Sequence, residues 1–184
     1  ASLVFLIAAF RSIALPLKAI AMNLLATGAA LGITVAVFQW GLGENVLDFT
    51  SPGFVQVYLP TVVFALLFGL SMDYEVFLIR RIREYWDASG DNQRAVAAGL
   101  THTARPITAA AAIMIAIFAS FLTADILELK QLGLALAVAV AIDAVLIRLV
   151  LVPALMRLLG GWNWWLPALR FRPPNTRAPR AAAE

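Results

Sequence analysis

Asp73, followed by Tyr74 and Glu75, interrupts one long apolar run of this sequence, and Asp143 and Arg148 interrupt another. An Asp or Arg at the centre of a membrane helix costs about 2.5–3.5 kcal/mol on insertion scales, so these residues need a reason to be there. The chemistry open to them is proton binding. Burial disfavours a carboxylate's charged form, and a nearby cation or hydroxyl favours it again. A carboxyl balanced between the two loads and releases a proton in the physiological range. A tyrosine beside it donates its O–H to the ionised form or accepts from the protonated one.

Spacing refines the reading. At 1.5 Å per residue Asp73 lies about 22 Å from Tyr58 and Asp143 about 17 Å from Leu132, so the two carboxylates reach comparable depth and can meet between helices. At 100° per residue Asp143 and Arg148 differ by about 140°, which argues against a simple intrahelical pair and sends Arg148 to another helix. A satisfied ion pair that only holds the bundle together is the other reading of Asp143 and Arg148. Glu75 reads as an interfacial charge that snorkels or pairs with Arg80 or Arg81. Ser71 and Thr108 fit backbone-bonded helix residues better than substrate ligands. Asn23 fits a helix cap, and His102 a solvated loop residue.

The elements that must position these groups follow from composition. Of 184 residues, 62% are apolar and 14% charged, with a mean hydropathy of +0.86. Soluble domains average about 45–50% apolar and about 25% charged. A net charge of only +3, spread over the chain, does not make a nucleic-acid binder. The absence of cysteine excludes thiolate chemistry and disulfides, and one histidine excludes a multi-histidine metal site. No Ser/His/Asp set, phosphate loop or HExxH is present, so no enzyme signature and no cofactor are expected. The fold class is an all-α integral membrane helix bundle.

A spanning helix needs about 20 apolar residues. Four complete transmembrane helices are expected at about 17–38, 58–79, 107–124 and 132–152. Residues 1–10 are apolar but short, and read as the end of a fifth helix whose beginning is absent, as if the chain were cut from something longer. Residues 80–105 form a cytoplasmic segment, with Asp91 capping a helix to Leu100 that lays Ala95, Val96, Ala98 and Leu100 on the membrane surface. Arg105-Pro106 then opens the next span. The bundle occupies 1–166, with Trp162, Trp164 and Trp165 in an interfacial belt, and 167–184 is a disordered basic tail. Gly28 and Gly32, and separately Gly133, Ala137 and Ala141, supply small-residue stripes for close helix packing. Twelve of the fourteen basic residues fall on alternate connections, all but Lys130 and Arg148. The positive-inside rule therefore makes the C-terminus cytoplasmic.

The stretch Phe68-Gly-Leu-Ser-Met-Asp-Tyr-Glu-Val-Phe-Leu78, followed by Arg81-Ile-Arg-Glu84, resembles the signature of the MMPL family of the RND transporter superfamily. Arg11-Ser-Ile-Ala-Leu-Pro-Leu-Lys18, Ala95-Val-Ala-Ala-Gly-Leu100 and Thr103-Ala-Arg-Pro-Ile-Thr108 match in the same order. So do Leu132 to Met156, through Asp143 and Arg148, and Asn163-Trp-Trp-Leu-Pro167. The resemblance implies the C-terminal half of a bacterial inner-membrane exporter of lipids, lipid-like metabolites or siderophores, driven by the proton-motive force. It implies Asp73 and Tyr74 as half of a proton relay, supported by Asp143, Arg148 and Ser71, with the proton as coupling ion. It further implies an N-terminal half in cis or in trans, and an oligomer is compatible with it. A sensing or scaffolding module, or an inactive split-gene fragment, are the competing functions.

Overall fold

The computed structural model describes residues 14–160, all of it helix and short connections. The expected helix at 1–10, the tryptophan belt and the tail fall outside these residues. We number the helices α1 (Ala14–Phe38), α2 (Glu44–Leu47), α3 (Leu59–Ser89), α4 (Asn92–Ser120), α5 (Leu127–Ala141) and α6 (Val152–Leu159), with a π-helical segment, Ile142–Leu151, joining the last two. Among the described residues four helical stretches are long and apolar enough to cross a membrane: Leu17–Phe38, Leu59–Ser89, Asn92–Thr123 and Leu127–Leu159.

The last stretch is the axis of the bundle. Of its most apolar window 56% is buried, against 11% for the stretch containing α4. α5 turns Gly133, Ala135, Leu136, Ala139 and Val140 inward and packs on α1, α3 and α4. α1 offers it the stripe Ala19, Asn23, Ala26, Ala30, Thr34 and Phe38, spaced three or four apart as one helical face requires. Thr27 and Thr34 are buried at no cost in unmade hydrogen bonds, since their hydroxyls donate to the carbonyls of Asn23 (2.9 Å) and Ala30 (2.8 Å).

Small residues divide into those that touch and those that do not. A Cβ at Gly133 would come within 2.6 Å of Phe121 Cβ and 2.7 Å of the Phe118 carbonyl, so the backbones meet there. Gly28 and Gly32 are exposed with nothing within 4 Å, so this pair makes no close approach among the described residues. It lies on the face of α1 opposite the buried stripe.

Residues 80–105 are the ends of two long helices. α3 continues to Ser89 and stops at Gly90, whose positive φ of 66° closes the helix with its N–H on the Trp86 carbonyl. At 1.5 Å per residue, 31 residues extend about 46 Å, well beyond a hydrocarbon core of about 30 Å. Asp91 caps α4 as expected, its Oδ1 accepting from the N–H groups of Gln93 (2.9 Å) and Arg94 (3.2 Å). The helix then runs through Pro106 instead of restarting there. It does so because Val96, Gly99, Thr103, Ile107 and Ala111 form one buried face on both sides of the proline. That face packs on α3, where the Gly99 backbone lies against Ile82. Ala95 and Val96 are therefore buried in the hairpin and do not lie on a membrane surface.

At the opposite end of the bundle the connection 39–57 is pinned to α5. Lys130 Nζ donates to the carbonyls of Leu47 (2.9 Å) and Asp48 (2.8 Å). Gln131, fully buried, accepts from the Gln56 N–H (3.1 Å) and donates to the Phe54 carbonyl (3.2 Å).

Candidate functional site

Asp143 and Arg148 meet on one face, against the expectation from regular α-helical geometry. The segment that carries them is π-helical, with i→i+5 bonding such as Val152 N–H to the Ile147 carbonyl. Residues five apart then lie one turn above another. Pro153 contributes to this geometry. It has no N–H for the Leu149 carbonyl and its ring crowds that oxygen, which favours a wider turn ahead of it.

The guanidinium is tied into a compact network. Arg148 Nη2 donates to Asp143 Oδ2 at 2.7 Å, to the Ser71 carbonyl at 3.1 Å and to Ser71 Oγ at 3.0 Å. Ser71 in turn donates its hydroxyl to Asp143 Oδ1 at 3.1 Å. The prediction that Arg148 reaches another helix holds as well, since Ser71 belongs to α3. Asp143 is 7% exposed and Arg148 4%. Such a pair is tolerated in an apolar interior because each charge has further hydrogen bonds. The Tyr74 ring covers it, its centroid 5.4 Å from Arg148 Cζ, a cation–π contact. Two cavities of about 10 Å3 flank the network, each near the least that holds one water. One lies towards Tyr74, Ile107 and Val140, the other towards Asn23 and Glu75.

Asp73 is not part of this network. It is exposed on the outer face of α3, about 21 Å from the start of the helix. It has no hydrogen bond or ion pair among the described residues. The 100° turn to Tyr74 puts one residue outside the bundle and the next against its interior. Asp73 and Asp143 therefore do not meet, and Ser71 is the α3 residue that touches Asp143.

Glu75 also departs from expectation. Arg81 pairs with Glu84 at 2.7 Å and Arg83 with Asp87 at 3.0 Å, while Glu75 turns inward and lines the second cavity with Asn23. Asn23 lies well inside α1 and is no cap. Thr108 bonds the carbonyls of Ala104 (2.8 Å) and Arg105 (3.0 Å), as expected. His102, on α4, stacks on Tyr85 with centroids 5.7 Å apart. Lys18, which its position groups with the loop charges, is buried in α1, at 9% exposed. The available signal was its place, with Asn23, inside an apolar run that begins one residue earlier.

The order of the motifs around this network matches a known family along nearly the whole chain. The MMPL family profile covers residues 2–181. The chain belongs to the MMPL family. Among its relatives, the "Mycolic acid-containing lipids exporter MmpL11" of Mycolicibacterium smegmatis is 48% identical over 89% of this chain and 17% of its own length. The "Heme uptake protein MmpL11" of Mycobacterium tuberculosis is 48% identical over 88% of this chain and 17% of its own length. The "Trehalose monomycolate exporter MmpL3" of Mycobacterium tuberculosis is 38% identical, over 90% and 18% respectively. The chain thus spans less than a fifth of the length of these relatives. As an MMPL segment it is a multi-pass helical membrane protein of a bacterial transport family.

Proposed function

We propose that this chain is the C-terminal membrane module of a proton-motive-force-driven MMPL exporter, with Asp73 and Tyr74 as half of its proton relay. The observation that carries the proposal is the split between these neighbours. Tyr74 rests on the buried Arg148–Asp143–Ser71 network, and Asp73 projects outward, midway along a helix long enough to span a membrane, without a partner among the described residues. A lone carboxylate facing hydrocarbon is costly, and a second bundle packed on this face of α3 removes that cost by supplying polar partners. The N-terminal half of the transporter, in cis or in trans, is that partner. Protonation of Asp73 then alters the contact between the halves, and Tyr74 passes the change to the ion-paired axis of the bundle.

The relatives' names support a lipid or lipid-like cargo, and the arginine-rich end of the bundle supports a cytoplasmic C-terminus in the inner membrane. The decisive experiment uses inverted vesicles containing the complete transporter and a pH-sensitive dye. Asp73→Asn, expressed at the wild-type level, is expected to abolish dissipation of an imposed proton gradient. Equal dissipation by both proteins overturns the relay and favours a sensing or scaffolding module.

A further inference from the structure

Among the described residues three buried polar atoms on the α1–α3 seam have no hydrogen-bond partner: Lys18 Nζ, Asn23 Oδ1 and Glu75 Oε1. Buried polar groups are almost always paired, so three orphans in one place call for an occupant. They are chemically complementary, with one cationic donor, one carboxylate and one amide oxygen. Yet no ion pair between Lys18 and Glu75 forms within 4 Å. Between Asn23 and Glu75 lies the second cavity, walled also by Ser71, Asp143 and Arg148, and Lys18 is next in sequence to the lining residue Ala19. Its volume of about 10 Å3 and its polar wall suit a single water, which donates two hydrogens and accepts two.

We propose that Glu75, bridged by a water in this cavity, is the proton exit of the membrane relay, and that Lys18 is its fixed counter-charge. The inference rests on the proton-coupled reading above and deepens it by naming the route away from the network. Asp143 takes up a proton through the first cavity, which Tyr74 and Asp143 both line, and the bridging water accepts that proton from its carboxyl and gives one of its own to the Glu75 carboxylate. One proton moves, no covalent bond between heavy atoms changes, and the water is regenerated. Glu75 then releases the proton towards the arginine-rich end of the bundle, where the first turns of α1 carry Lys18. The ammonium stays charged and stabilises the carboxylate left behind. The charged groups around Glu75 are Lys18 on α1 and Asp143 and Arg148 on the π-helical segment, and Ser71 and Asn23 supply the neutral dipoles.

The placement explains why Lys18 and Asn23 interrupt the start of an otherwise apolar span. Each would cost less as an apolar residue if α1 served only to pack. It also accounts for Glu75 turning inward while the arginines after it pair with Glu84 and Asp87.

The test compares proton flux in vesicles of the complete transporter for wild type, Asp73→Asn, Glu75→Gln, Glu75→Asp and Glu75→Gln with Lys18→Met. Glu75→Gln is expected to lower flux at least tenfold, and Glu75→Asp to retain flux with a displaced pH profile, which a packing role would not produce. The double variant removes both charges and so leaves no buried unpaired ion. It is expected to fold like wild type and remain without flux, so misfolding of Glu75→Gln alone does not rescue or sink the proposal. An acid pulse followed by difference infrared spectroscopy should show a carboxyl stretch in wild type that Glu75→Gln lacks. If Asp73→Asn abolishes flux while Glu75→Gln and the double variant run at the wild-type rate, the exit is elsewhere and the relay stands. If wild-type flux does not depend on Asp73, the underlying relay reading fails, and the exit fails with it.

Discussion

Replacing Arg148 by methionine separates structural from functional work at the buried pair. Arg148 makes one ion pair and two hydrogen bonds to Ser71, and Asp143 is left with Ser71 as its remaining partner when the guanidinium goes. Removing one member of a buried ion pair costs about 3–5 kcal/mol, because the other charge is stranded. For a cooperative unit the size of this bundle each kcal/mol moves the midpoint by about 2–4 °C, so the transition of this bundle within the transporter falls on the order of 10 °C. Replacing both residues, Asp143→Leu with Arg148→Met, removes the stranded charge. Exchange of a buried pair for apolar side chains is often neutral or stabilising. Ser71 then has the carbonyl of Leu67 one turn back as acceptor. The double variant is therefore expected to melt within a few degrees of wild type, with proton flux still absent. Thermal unfolding of the detergent-solubilised complete transporter measures the first quantity and the vesicle assay the second. An Arg148→Met protein that melts like wild type, or a double variant as unstable as the single, refutes the stranded-charge argument. Full flux in a stable double variant reduces the pair to a packing device.

Two further changes probe the parts that hold the site in place. Gly99→Ala puts a Cβ 2.5 Å from Ile82 Cγ1 and 3.1 Å from the Ile82 backbone, so it should cost about 1–3 kcal/mol, as read from thermal unfolding. Lys130→Met removes the donor to the Leu47 and Asp48 carbonyls, and hydrogen exchange across residues 39–57 should rise while that of α3 and α4 is unchanged.

Much of the molecule was legible because a membrane chain has to declare itself in its composition. Apolar runs of about 20 residues have no other stable fate, and the charges within them can be picked out by eye. Asp73, Asp143 and Arg148 could be named on that ground, Ser71 only through the family resemblance, and the Asp91 cap on the chemistry of its side chain alone. Helix ends were less accessible. Ser89 became visible as an end only through Gly90, because the polar hairpin between α3 and α4 buries a face too narrow to register as an apolar run.

The sequence by itself determined that this is a membrane bundle, which residues carry ionisable groups at depth, and that Asp73 and Tyr74 point in different directions. Tertiary structure decided which group meets which. An angle of 100° per residue holds only for a regular α-helix. A π-helical segment changes the angle and brings Asp143 under Arg148, which no count along the chain foresees. The inward turn of Glu75 towards Asn23, and the burial of Lys18, depend on how α1 lies against α3, a relation set by packing on α5. The same packing leaves Gly28 and Gly32 uncovered and closes Gly133 and Gly99 onto their neighbours. A glycine's spacing says that a close approach is possible, and only the neighbouring backbone says whether it happens.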